Sequence, residues 1–223
     1  MVTFLLFSAP LAAVVAGLLL ADRVSPGDAP SADLRYLLVR YAVLPGIFIF
    51  VAMFLVRMAV QWSIPYQYSL GGLFLYHLIV EYAVWACLAA AAAWIVVHRV
   101  PEKTQRERYL LYLGFFATVF FLVAVTDVIL HDGFWTVYPL VVLPLLRLGV
   151  VLVMPLVLVL GLGREGDLRL WAVPPVYLPA AAMVAALFEW LRPLQAFALL
   201  LLVLILTGGV FYGVLFSGAP RKG

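Results

Sequence analysis

The sequence predicts an all-α, polytopic transmembrane helix bundle of about seven spans, with the N-terminus outside and the C-terminus inside. Three observations carry that expectation. Of the 223 residues 67% are hydrophobic, the mean hydropathy is +1.15 and only 11% are charged, whereas soluble domains carry about 25% charged residues. Apolar runs of roughly the 20 residues that one crossing requires follow one another along the chain. Lys and Arg collect in the short segments between these runs, on one side more than the other.

Residues 2–21 make the first span. A cleaved signal peptide is the competing reading, because the run is short and a Pro- and Ala-rich stretch follows. No positive charge precedes it, however, and cleavage would leave Arg23, Arg35 and Arg40 outside, so an uncleaved helix is expected. The second span, 38–61, stops before Trp62 and Pro65, and the third, 70–98, stops at His98 before Pro101. The fourth, 109–131, lies between the basic segment 99–108 and Gly133. The fifth, 137–162, contains Pro139, Pro144 and Pro155, and the sixth, 170–191, contains Pro174, Pro175 and Pro179. Prolines are tolerated inside membrane helices, commonly as kinks. The seventh, 194–217, has no ionisable residue.

The whole chain, 1–223, therefore reads as one integral membrane domain. Its longest non-apolar stretches, 22–35 and 98–108, fall far below the ~50 residues of the smallest soluble domains. A net charge of +3 and a pI near 9.1 do not point to nucleic acid, since the basic residues sit beside apolar spans. The single cysteine, Cys87, excludes an internal disulfide and a thiolate metal cluster; it reads as a small packing residue.

Orientation follows from loop charge. Arg99, Lys103, Arg106 and Arg108 make the most basic loop, which places it in the cytoplasm together with Arg164, Arg169, Arg221 and Lys222. The segments 62–69 and 131–136 carry no Lys or Arg, and Arg192 is the one basic residue assigned outside. Trp62, Tyr66, Tyr68, Phe134, Trp135, Tyr138 and Trp190 mark the outer interface.

Four charged residues fall within the spans: Arg57, Glu81, Asp127 and Arg147. Counting from the cytoplasmic ends at 1.5 Å per residue puts them at roughly 25, 25, 27 and 24 Å, a single layer below the outer interface. His77 precedes Glu81 by four and Asp127 precedes His131 by four, so each pair shares a helix face. The two histidines are expected about one turn outside the carboxylates, with Asp132 and Glu189 at the rim. The expected result is an outward-facing pocket with a charged floor.

An ionisable group in hydrocarbon is costly unless paired or wetted, which makes this layer the candidate site. Its simplest role is structural, two arginines and two carboxylates fixing helix rotation. The functional role expected is a ligand or headgroup pocket, with Arg57 and Arg147 receiving an anionic group. A small-solute or proton-coupled transporter is the alternative, weakened because a relay below the layer would have only Thr118, Tyr112 and Thr207 to run through. A metal- or haem-dependent membrane enzyme is the second alternative: His77, Glu81, Asp127 and His131 are suitable metal ligands, and His77 with His131 would make a haem pair. The arginines compete for the carboxylates and repel a divalent ion, so no metal or other cofactor is assigned. GxSxG, HExxH and a phosphate loop are all missing from the sequence, and no catalytic residue is assigned.

Gly209 with Gly213, and Ala182 with Ala186, are small-residue pairs suited to close helix packing. The expected protein is a sensor-like or accessory subunit of the cytoplasmic (inner) membrane if bacterial. Its expected partners are the lipid bilayer and a membrane or cytoplasmic protein docking at loop 99–108.

Overall fold

The computed structural model describes residues 11–12, 14–21, 33–64, 69–100, 104–130, 143–161 and 168–191, together with Leu202, Ile205 and Gly209; at 127–130 and 168–169 it describes the backbone alone. Every regular element among the described residues is helical. Among them, five helices are long and apolar enough to cross a membrane: α1 (Leu34–Ser63), α2 (Leu70–His98), α3 (Gln105–Leu130), α4 (Leu143–Gly161) and α5 (Val173–Trp190), the last preceded by a 3-10 turn, Leu168–Ala172. Residues 14–21 are also helical and lie on α3, where Gly17 meets Leu113. The expected span 194–217 lies outside the described residues except for Leu202, Ile205 and Gly209, which are helical; Gly213 lies outside them.

The helix ends follow local chemistry. Ser69 caps α2, its Oγ accepting the Gly72 N–H at 3.1 Å. At the other end Val100 N–H donates to the Val97 carbonyl at 3.0 Å, and Pro101 cannot continue the helix. α3 starts at a capping box: Glu107 N–H donates to Thr104 Oγ1 at 3.2 Å, and Thr104 N–H donates to Glu107 Oε2 at 3.4 Å. This box starts the helix at Gln105, ahead of the expected 109. Prolines at the first positions of α5 suit its start, because their missing N–H groups have no partner there anyway.

Among the described residues three wide π turns interrupt the α-helices, at Val39–Val43, His77–Ala83 and Val157–Gly161. The first adjoins Pro45 and the third adjoins Pro155, and a proline breaks the regular i to i−4 ladder. The second contains neither proline nor glycine. It carries two of the candidate site residues, His77 and Glu81.

α3 is the central helix, touching α1, α2 and α4, while α5 packs on α4 and on the first half of α2. In their most apolar windows 72% of α4 but only 11% of α1 is buried, which makes α4 interior and α1 peripheral. α1 reaches α3 through small residues. A Cβ on Gly114 would lie 3.3 Å from that of Ala42, and one on Gly46 would lie 3.2 Å from Thr118, so the two parallel helices meet along Ala42/Gly46 and Gly114/Thr118. The opposite face of α1 exposes Leu44, Phe48, Val51, Leu55, Met58 and Trp62, a helical stripe suited to hydrocarbon.

α5 is held by Tyr177, whose hydroxyl donates to the Leu146 carbonyl at 2.9 Å and lies where a side chain on Gly149 would be. Ala182 and Ala186 are buried in the α5 contact, as their spacing suggests. Trp171 Nε1 donates to the Gly161 carbonyl at 3.0 Å and closes the connection from α4. Cys87, expected to be a packing residue, is exposed on α2 instead; the buried stripe of that helix passes through Trp85, Ala86, Ala89, Ala93 and Val97.

The short α2–α3 connection and the parallel contact of α1 with α3 gather Arg35, Arg40, Arg99, Arg106 and Arg108 at one end of the bundle, while Trp62 and Trp190 lie at the other.

Candidate functional site

Glu81 is the hub of the site. It projects from the π turn of α2 and is buried. Arg57 Nη2, from α1, donates to its Oε1 at 2.5 Å, and Arg147 Nη2, from α4, donates to its Oε2 at 3.2 Å. One carboxylate thus joins three helices, each of its oxygens engaged by a guanidinium. The pairing is charge-assisted at both oxygens, which is what allows these groups to be buried together in an apolar bundle.

A second pair lies one turn closer to the Trp-bearing end. His77 Nε2 of α2 is 3.4 Å from Glu189 Oε1 of α5, ion-pairing distance when the imidazole is protonated. His77 is buried and Glu189 is exposed, so this pair runs from the interior to the surface. The Tyr76 ring stands edge-on to the imidazole at 5.8 Å.

Of the residues assigned to the layer, Arg57, Glu81 and Arg147 come together, and His77 meets the rim residue Glu189. Asp127 belongs to α3, but its side chain lies outside the described residues, as do His131 and Asp132. Among the described residues no three metal-ligating side chains converge, and the described haem candidate, His77, faces Glu189.

Trp85 was not foreseen in this site. It follows Glu81 by four residues and shares its helix face. The Arg57 guanidinium lies 5.7 Å from the centroid of its ring, and Phe50 of α1 stacks on it at 6.3 Å. A guanidinium over an indole face is attracted by the ring quadrupole, most strongly where water is excluded. The spacing Glu81-x-x-x-Trp85 was the available signal for it.

The arrangement sets two guanidinium groups against one buried carboxylate, with the His77–Glu189 pair running from there to the surface. No protein-family model, curated protein or solved structure matches the chain.

Proposed function

We propose that this protein is a seven-span, N-out/C-in membrane protein whose outward-facing polar pocket binds a small ligand, a lipid headgroup or a partner segment, and that it acts as a sensor-like or accessory subunit. One observation carries the proposal: a π turn with no proline or glycine presents both His77 and Glu81 to groups from three other helices. π bulges inside α-helices recur at functional sites, where they aim side chains that a regular helix would turn elsewhere. The two arginines supply the planar donor forks that suit anionic groups. The clustering of exposed arginines at the opposite end of the bundle supports a cytoplasmic location for that end.

The test compares what co-purifies in mild detergent with the wild type and with Arg147→Lys, which keeps the charge on Glu81 but loses the guanidinium fork. Mass spectrometry is expected to find a lipid, small molecule or peptide with the wild type that is depleted with the folded variant. A purely structural layer predicts identical co-purification from both.

A further inference from the structure

We infer that Tyr36 and Arg40 of α1 form a headgroup site for an anionic phospholipid, whose acyl chains lie along the exposed stripe of the same helix. The inference is independent of the pocket at Glu81 and concerns the opposite end of the bundle.

Spacing sets the side of α1 that the pair occupies. Tyr36, Arg40, Leu44 and Phe48 follow one another at four-residue intervals and all are exposed, so they share a helix face. Ala42 and Gly46, on the other side, pack against α3. Past Phe48 the exposed face continues as the apolar stripe through Val51 and Leu55. An arginine at the head of a stripe that hydrocarbon covers is turned toward lipid and away from the other helices.

Arg40 lies about 9 Å past the start of α1, a depth from which a long side chain returns its charge to the interface. Its Nη1 donates to the Tyr36 hydroxyl at 2.8 Å, one turn nearer the helix start. The guanidinium lies 5.8 Å from the centroid of the Tyr36 ring and 5.4 Å from that of Tyr41. Two rings and a hydroxyl thus hold the fork at headgroup level, where tyrosine itself is favoured. Among the described residues no carboxylate pairs with Arg40.

The polarity of the pair selects the headgroup. A guanidinium only donates, and the hydroxyl that accepts from it keeps its own hydrogen to donate. A group meeting both brings acceptor oxygens and negative charge, as a phosphodiester does, and the planar fork suits it. Arg35 is exposed beside Tyr36, and Arg108 is exposed on the parallel α3 at about the same height, since Ala42 meets Gly114. A headgroup with its own ammonium would meet these cations as well, which favours a lipid of net negative charge.

The experiment uses the full chain in maltoside micelles doped with phosphatidylglycerol or phosphatidylcholine, and reads apparent affinity from the rise of the thermal midpoint with lipid content. Phosphatidylglycerol is expected to stabilise the wild type more than phosphatidylcholine does. Soluble glycerol phosphate is expected to leave the midpoint in place, because it lacks the chains that the stripe receives. Arg40→Gln is expected to weaken phosphatidylglycerol binding about tenfold, the loss of a hydrogen bond between charged groups. Arg40→Lys, which keeps the charge without the fork, falls between, and Tyr36→Phe weakens binding with no change of charge. Midpoints in undoped micelles check that each variant folds; if Arg40→Gln does not, the other two decide. Equal stabilisation of the wild type by both lipids would overturn the inference. Wild-type affinity in both Arg40→Lys and Tyr36→Phe would also overturn it, since the attraction would then be one of diffuse charge. A shift with glycerol phosphate equal to that with phosphatidylglycerol would remove lipid as the occupant.

Discussion

Glu81 is the residue through which α1, α2 and α4 are joined. Replacing it by glutamine keeps the shape and removes the charge, leaving Arg57 and Arg147 against a neutral amide in a buried setting. Breaking a buried ion pair from one side costs about 3–5 kcal/mol, so Glu81→Gln is expected to lower the unfolding midpoint in detergent markedly, with Glu81→Asp in between. An unchanged midpoint would mean that the trio contributes nothing to stability. These residues were legible in the sequence because charge stands out against an apolar run: counting helical rise alone put Arg57, Glu81 and Arg147 at one height, and the structure joins them. Trp85 and Tyr177 were not legible as site and clamp, since an aromatic residue within an apolar run offers no such contrast. Their places come from a guanidinium lying over the indole ring and from a hydroxyl seated over Gly149, both properties of the packed molecule.

Among the elements, α3 shows how a short motif sets a boundary. Thr104-x-x-Glu107 satisfies two backbone donors reciprocally and extends the helix into what charge alone marked as loop. Thr104→Ala is expected to cost about 1 kcal/mol and to speed amide hydrogen exchange over 105–108 while the middle of α3 keeps its protection; equal rates in both proteins would remove the cap's assigned role. The motif was present in the sequence, but the basic residues around it drew the boundary to 109. The π turn at His77–Ala83 was not legible, because nothing in its own residues breaks a helix. The Ala42/Gly46 and Gly114/Thr118 contact is intermediate: the small residues are visible, but in a chain rich in Ala and Gly they do not say which face meets which.

At the scale of the molecule, the all-helical character and the apolar spans followed directly from hydropathy, which reports the surrounding solvent. Which helix lies inside did not follow, because α1 and α4 are both strongly apolar and each carries an arginine of the layer. The proposed orientation gives a direct expectation: reporter domains fused after residue 64 should lie outside the membrane and those fused after residue 100 inside, as read by accessibility to a membrane-impermeant protease. The reverse pattern would invert the pocket and withdraw its outward-facing character. Glu81 also connects unlike parts of the bundle, since Arg147 belongs to a helix 72% buried and Arg57 to one 11% buried over the same kind of window. The carboxylate is a mooring between the most buried of the described spans and a rod of 30 residues that is the least buried of them. Loss of either arginine contact at that mooring would leave the least buried of the described spans with one fewer tie to the interior.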